Sequence, residues 1–136
     1  MLRVFRLTAA VSLFALLAAG CSLSTPQGQV ADPVSEDLTD VAGLLRDYAV
    51  ESQRGPTKLS DLAKNQALYS RGYQAIKTGN IVVVWGVRMP LQGQGGGTGI
   101  IAYEKKVETE GGAVLLENGD IKKMTAAEFT AAPKAK

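Results

Sequence analysis

The spacing of apolar residues predicts a long amphipathic helix at the start of a small domain. Between Ser35 and about Arg54, apolar side chains recur every three or four residues, which places them on one face of an α-helix. This apolar stripe comprises Leu38, Val41, Leu45 and Tyr48. Ser35 is expected to cap the N terminus of the helix, and Gly55 followed by Pro56 is expected to end it.

Two shorter helices are predicted after it, at 58–64 and at Ser70–Lys77. Their inward-facing positions are expected to be Leu59, Leu62, Tyr73 and Ile76. Gly72 lies inside the second of these helices, where glycine lowers helix propensity. The helical part of the domain is therefore predicted to precede the strands.

The pattern then changes to one that is typical of a β-sheet. Residues 81–88 (IVVVWGVR) are apolar and mostly β-branched, which predicts a strand buried on much of both faces, with Trp85 in the core. Further strands are predicted at 100–104, 113–117 and 120–124. The last two flank Asn118-Gly119, the strongest short signal for a β-hairpin. A charged connection is expected over residues 105–112.

The C-terminal part of the chain predicts a final helical turn followed by a loose end. Thr125 and Glu128 have the spacing of a capping box, which starts a helix and directs Phe129 toward the core. Residues 131–136 are expected to form a disordered tail. Because helices come first and strands afterwards, the predicted fold class is α+β. We expect an N-terminal amphipathic helix plus one or two short helices, packed on a four-stranded antiparallel meander, over residues 35–130.

Composition excludes several kinds of chemistry. The 136 residues include no histidine and a single cysteine. The lack of histidine excludes histidine-based triads, histidine–metal ligation and imidazole general bases. A single cysteine excludes an intrachain disulfide framework and a CxxC site. We therefore predict no cofactor and no metal site, and we expect a domain that is not an enzyme.

The first twenty residues are typical of a signal peptide. Arg3 and Arg6 are followed by an apolar run over residues 7–17. Small residues then lead to Gly20 and Cys21, the only cysteine. The apolar run is too short, and too closely followed by polar residues, to favour a transmembrane helix.

The stretch Leu17-Ala18-Ala19-Gly20-Cys21 resembles the lipobox of bacterial lipoproteins. It departs from the commonest pattern, which has leucine three residues before the cysteine, where this chain has Ala18. The alternative is an ordinary secretory signal. The resemblance implies cleavage between Gly20 and Cys21, a diacylglyceryl group on the Cys21 thiol and acylation of the new amine. Fatty acids such as palmitate would then anchor the chain to a membrane.

The residues after the cysteine bear on location and reach. Ser22, with no aspartate at that position, resembles lipoproteins that are sorted to the outer membrane, which implies a position facing the periplasm. Residues 21–34 are rich in Ser, Thr, Pro, Gly and Gln, so a flexible tether with a reach of about 20 Å is predicted. An ordered arm packed on the domain is the alternative.

Net charge argues against nucleic-acid binding. Removal of residues 1–20 lowers the 15 basic side chains to 13, which equals the 13 acidic ones. No basic field then remains to attract a phosphate backbone. The expected partners are the membrane and an envelope or secretion-system protein.

Two segments resemble the periplasmic part of bacterial type II pseudopilins. They are residues 48–62 (YAVESQRGPTKLSDL) and residues 112–129 (GAVLLENGDIKKMTAAEF). The resemblance implies a helix packed on a strand meander that closes on a glycine-containing hairpin. Pseudopilins have a long apolar N-terminal helix for filament assembly, where this chain has the lipobox-like signal and a polar segment. The chain is therefore similar to a lipid-anchored relative of the head domain.

A glycine-rich loop is the first candidate for ligand binding. Its residues are Gly93, Gly95, Gly96, Gly97, Thr98 and Gly99. Phosphate cradles place such glycines between a strand and a helix. Here a strand is predicted to follow, and the Gly-Lys-Ser/Thr ending is missing. A flexible hairpin loop and a mobile binding loop both remain open.

Other chemistry-bearing residues have simpler interpretations. The acidic pairs Asp37/Asp40 and Glu108/Glu110 could support glycosidase chemistry only in a cleft, with the pKa of one carboxyl raised. Solvated surface charge is the alternative. Three serines, Ser52, Ser60 and Ser70, have no histidine to activate them.

The aromatic residues offer one further possibility. If Trp85 and Tyr103 faced outward together, they would form a platform for a partner or a glycan.

These observations predict a lipid-anchored cell-envelope lipoprotein with a small non-catalytic domain that is structural or binds a partner. One alternative is an accessory subunit of a secretion or pseudopilus-like system. The other is a hydrolase that uses an unrecognised carboxylate site.

Overall fold

The computed structural model describes residues 33–91 and 93–136. Helices come first in the chain, the four strands follow, and a short helix comes last. The α-helices are α1 (Pro33–Ser52), α2 (Ser70–Lys77) and α3 (Ala126–Ala131). The strands are β1 (Ile81–Val83), β2 (Ile100–Glu104), β3 (Gly112–Leu116) and β4 (Ile121–Met124). Two 3₁₀ helices occupy Leu59–Asn65 and Lys105–Glu108. The predicted signal, Cys21, the tether up to residue 32 and Gln92 lie outside the described residues.

The predicted fold class is confirmed. The four strands form one sheet in the order β1-β2-β3-β4, and each neighbouring pair is antiparallel. Ile81 lies opposite Glu104, and Ala113 lies opposite Lys123. The chain is thus an α+β domain with a four-stranded meander.

The core between α1 and the sheet follows from the apolar stripe of the helix. Leu38, Val41 and Leu45 are buried as predicted, and they share a cluster with Ile101 and Leu115 of the sheet. The helix begins at Pro33, two residues before the predicted cap. Proline suits the first helical position because its φ angle is already helical and the missing N–H has no partner there.

Gly72 permits the close approach of α1 and α2. A Cβ at this position would lie 2.7 Å from both the Asp40 Cβ and the Val41 backbone nitrogen. The backbone N–H of Gly72 donates a hydrogen bond to Asp40 Oδ2 at 3.2 Å. The glycine that lowers the helix propensity of α2 is therefore required where the two helices touch.

β3 is buried on both faces and separates two apolar clusters. Ala113 and Leu115 belong to the main cluster under α1, whereas Val114 and Leu116 belong to a second cluster. The second cluster includes Val107 and Phe129 on the other face of the sheet, with additional residues from β2 and β4. The predicted capping box at Thr125 and Glu128 starts α3 and is confirmed.

The predicted strand over residues 81–88 is wrong after Val83. The backbone turns at Trp85 and Gly86, and Gly86 has a φ angle of +86°. The Gly86 N–H donates to the Pro56 carbonyl at 2.7 Å, which draws the segment toward the loop after α1. Trp85 is 38% exposed, so its predicted place in the core is also wrong. Apolar, β-branched composition here reflects the burial of Val87 rather than sheet pairing.

Two other predictions need correction. The charged connection over residues 105–112 contains a 3₁₀ helix, because Val107 turns inward to the second cluster. The predicted disorder of residues 131–136 is also wrong, because residues 133–135 pair with Ile100. Its N–H donates to the Pro133 carbonyl at 2.9 Å and its carbonyl accepts from the Ala135 N–H at 3.0 Å. This segment lies beside β2 where β1 has ended.

Replacement of Gly72 by alanine is expected to lower the free energy of unfolding by about 1–3 kcal/mol, because the added methyl group overpacks the contact between α1 and α2. This loss is expected despite alanine's better helix propensity, which is worth about 1 kcal/mol. Urea denaturation measures the change. Gly95→Ala is the matched control, since no atom lies within 4 Å of a Cβ there. Equal stability of the Gly72→Ala variant and the wild type would contradict the packing argument.

Candidate functional site

A cleft of about 480 Å³ opens at the N-terminal end of α1. Its apolar lining includes Val34 of α1 and Ile81 of β1. Its charged lining comes from Asp37, Glu104, Lys105, Lys106 and Glu108. The volume is typical of a small-ligand pocket, and charged groups from α1, β2 and a 3₁₀ helix converge on it. We take this cleft as the candidate functional site.

Glu104 is the buried carboxylate of the cleft. The residue is 8% exposed. Its Oε2 accepts a hydrogen bond from the Ala113 N–H at 2.6 Å, and its Oε1 lies 3.1 Å from Lys106 Nζ. A buried carboxylate needs such partners, because desolvation of an unpaired charge is costly. Glu104 therefore holds the start of β3 and also anchors Lys106 at the cleft.

Glu108 is held on the exposed side of the cleft. Its Oε1 accepts a hydrogen bond from the Tyr103 hydroxyl at 3.0 Å, and its Oε2 lies 3.1 Å from Lys105 Nζ. These contacts from Lys105 and Tyr103 lower the pKa of Glu108 below its usual value. Glu108 therefore stays ionised at neutral pH.

Asp37 is shifted in the opposite direction. Its side chain is 30% exposed, and burial, with the nearby charges of Asp40 and Glu104, raises the pKa of Asp37 above its usual value. Arg71 Nε lies 3.1 Å from Asp37 Oδ1, and Arg71 Nη1 contacts Glu36, but this half-exposed guanidinium does not offset the burial and the like charges. Asp37 therefore binds a proton more readily than an ordinary aspartate does.

The structure places one residue of each predicted acidic pair at the cleft and the other elsewhere. Asp37 lines the cleft, while Asp40 accepts a hydrogen bond from the Gly72 N–H. Glu108 lines the cleft, while Glu110 is exposed in the following turn. The structure brings Asp37 and Glu108 together with Glu104, which sequence reasoning missed.

A signal for Glu104 was present in the sequence. It is a charged residue at the end of an apolar strand that is buried on both faces. Two lysines follow it directly, and both pair with carboxylates of the cleft.

The predicted aromatic platform does not form. Tyr103 packs against Phe129, with 4.7 Å between ring centroids, and its hydroxyl is bonded to Glu108. Trp85 lies in the turn after β1, next to the loop that follows α1. Trp85 and Tyr103 therefore do not form one exposed surface.

The glycine-rich loop packs against the β3–β4 hairpin. A Cβ at Gly96 would lie 2.7 Å from Asn118 Cα, and one at Gly97 would clash with Glu117 Oε2. The Gly99 N–H donates to Glu117 Oε2 at 3.2 Å. Close approach to the hairpin thus accounts for these glycines. A ligand for Gly93, Gly95, Gly96, Gly97, Thr98 and Gly99 stays a prediction.

The remaining site predictions concern metals and the membrane. Within residues 33–91 and 93–136, no group of three or more potential ligands is placed to hold a metal ion. No helix in this part of the chain has the length and apolarity needed to cross a bilayer. Gly20 and Cys21, the predicted cleavage and lipidation site, lie outside the described residues.

Comparison with known proteins identifies no relative. No protein-family model, no curated protein and no solved structure matches the chain.

The cleft has two features that the hydrolase alternative requires, an open cavity and a carboxyl group with a raised pKa. Against it, Glu104 and Glu108 are both held by lysines and hydrogen-bond donors of the domain itself. A hydrolase with an unrecognised carboxylate site therefore stays a prediction.

Titration of the side-chain carboxyls by ¹³C NMR is expected to show Asp37 with a pKa above the usual aspartate value and Asp61 with a pKa below it. Burial, Asp40 and Glu104 raise the first, whereas hydrogen bonds from Thr57 and Lys58 lower the second. Asp40→Asn removes one like charge, so it is expected to move the pKa of Asp37 downward. A pKa of Asp37 below the usual value would contradict the electrostatics of the cleft.

Proposed function

We propose that the chain is a lipid-anchored cell-envelope lipoprotein whose α+β domain binds a partner without catalysing a reaction. The observation that carries the proposal is the pattern Leu17-Ala18-Ala19-Gly20-Cys21, which ends an apolar signal at the only cysteine of the chain. Residues 22–32 are all that separate this cysteine from Pro33, where α1 begins. The signal, the acylated residue and the domain thus follow one another with little chain between them.

The short connection limits where the domain can act. A chain of this length spans at most about 40 Å when fully extended. Two or more acyl chains on Cys21 would hold the protein on the bilayer nearly permanently. The domain would therefore meet partners close to the membrane surface. Ser22 supports placement at the outer membrane, facing the periplasm.

The electrostatics of the cleft favour binding over catalysis. Lys105 is paired with Glu108, and Lys106 is paired with Glu104. The contacts of Lys105 and Tyr103 lower the pKa of Glu108, so its carboxylate is a weaker proton acceptor. The paired groups are better suited to holding a ligand or partner group than to transferring protons.

Metabolic labelling with an alkyne analogue of palmitate tests the anchor. Labelling is expected in the wild type and is expected to be lost in Cys21→Ser, because the thiol is the proposed acceptor of the diacylglyceryl group. Ser22→Ala, which keeps the thiol, is the matched control. Equal labelling of the wild type and Cys21→Ser would refute the proposed anchor.

A second candidate function is an accessory subunit of a secretion or pseudopilus-like system. The observation that favours it is the packing of α1 on the β2–β3 part of an antiparallel meander, which is the arrangement that the pseudopilin resemblance implies.

Crosslinking in intact cells, followed by purification, tests this candidate. Secretion-system components are expected among the crosslinked proteins. Their consistent absence, in cells that contain such a system and express the chain at its native level, would count against it.

A further inference from the structure

We infer that a surface at the C-terminal end of α1 binds an acidic segment of a partner protein. This arginine surface is formed by Arg46, Val50, Gln53, Trp85 and Arg88. The inference rests on the proposed function, since it names the chemistry of the partner that the domain would bind. It is distinct from the cleft, which lies at the other end of the same helix.

Hydrogen bonds join the two segments that form the arginine surface. Arg46 and Val50 lie one turn apart on α1, so their side chains share a face. Gln53 follows, and its Nε2 donates to the Val50 carbonyl at 2.8 Å. Arg88 Nη2 donates to Gln53 Oε1 at 3.0 Å. Gln53 and Arg88 therefore bridge α1 and the segment after β1. The Arg46 guanidinium lies beside Gly119, where Met89 of the same segment also packs.

Backbone contacts hold this arrangement. The Gly86 N–H donates to the Pro56 carbonyl at 2.7 Å. A Cβ at Gly55 would clash with the backbone of Gly86 and Val87, so the two chain segments touch directly. Trp85 is consequently fixed beside the end of α1, on the same segment as Arg88.

The arginine surface exposes apolar side chains. Trp85 is 38% exposed and Val50 is 51% exposed. Tryptophan and arginine are the residue types most enriched among the residues that dominate binding energy at protein interfaces. An exposed apolar centre with arginines beside it is typical of such an interface.

Charge identifies the partner. None of the ion pairs among the described residues involves Arg46 or Arg88. Arg88 is bonded to the neutral amide of Gln53, and Arg46 Nε is buried without a hydrogen-bond partner. Asp47, next to Arg46, accepts a hydrogen bond from the Tyr69 hydroxyl. Neither guanidinium group therefore has an ion-pair partner among the described residues. An aspartate or glutamate of a partner could accept two parallel hydrogen bonds from such a group.

The position of the surface favours a protein over the bilayer. Helix α1 rises about 1.5 Å per residue, so Val50 lies roughly 25 Å from Pro33, the end nearer the proposed anchor. The proposed lipid attachment therefore does not itself bring this surface against the bilayer. We therefore assign the surface to a protein segment that carries acidic side chains beside an apolar one.

The only tryptophan of the chain lies in this surface, so its fluorescence reports directly on binding. The full mature protein in detergent micelles is titrated with a peptide of alternating glutamate and leucine. A saturable blue shift of Trp85 is expected, because leucine side chains would cover the indole. The same peptide length with lysine in place of glutamate is expected to cause no shift.

Charge reversal tests the role of the arginines. Arg88→Glu is expected to weaken peptide binding at least tenfold, and Arg46→Gln is expected to weaken it severalfold. Lys77→Glu is the matched control, because it makes the same charge change at an exposed position of α2, outside the arginine surface. Circular dichroism checks that each variant keeps the wild-type helix content.

Three outcomes would overturn the inference. The first is that the acidic peptide causes no blue shift of Trp85 fluorescence. The second is that Arg88→Glu and Lys77→Glu weaken peptide binding equally. The third is that phosphatidylglycerol vesicles shift the fluorescence of the Cys21→Ser chain while the peptide does not. The last outcome would assign the surface to a bilayer. Palmitate labelling of the same preparations separates the two proposals. A wild type that binds the peptide but carries no label, or no more label than Cys21→Ser, refutes only the anchor.

Discussion

The packing of α1 across the centre of the sheet determines where every other feature of the domain lies. Leu38, Val41 and Leu45 are buried against β2 and β3, so the helix has one possible rotation about its axis. That rotation places Asp37 beside Glu104 at one end and leaves Val50 in solvent at the other. α2 then packs on α1 through Gly72, which brings Arg71 next to Asp37. The apolar interface between α1 and the sheet therefore determines the positions of both the cleft and the arginine surface.

The two ends of α1 differ in how their charges are satisfied. At the cleft, lysines and hydrogen-bond donors of the domain hold Glu104 and Glu108. At the other end, Arg46 and Arg88 have no acidic partner among the described residues. The exposed Lys105–Glu108 pair contributes little to stability and chiefly fixes geometry, whereas the Lys106–Glu104 pair also satisfies a buried carboxylate. These two arginines can therefore form new ion pairs with a second molecule without breaking an existing one.

Local patterns predicted the elements whose signals lie within a few residues. The stripe of α1, the bounds of α2 and the turn at Asn118-Gly119 were correct, since periodicity and turn chemistry act over short distances. The strand predicted over residues 81–88 is wrong after Val83, because an apolar, β-branched run has the same pattern in a strand and in a packed loop. What decides between them is the distant contact of Gly86 with Pro56, which periodicity does not encode. Glu104 was missed for the same reason, as its partners Lys106 and Ala113 converge only after β3 has paired with β2.

The pairing of residues 133–135 with Ile100 has a consequence for self-association. β1 pairs with β2 only as far as Ala102, and without the C-terminal segment the backbone groups of Ile100 would face solvent beside buried apolar side chains. Such an open border is a template for adding strands from other molecules. Residues 133–135 thus cover the part of the β2 edge that β1 leaves open, and a protease that removed them would expose this edge to strands of other molecules.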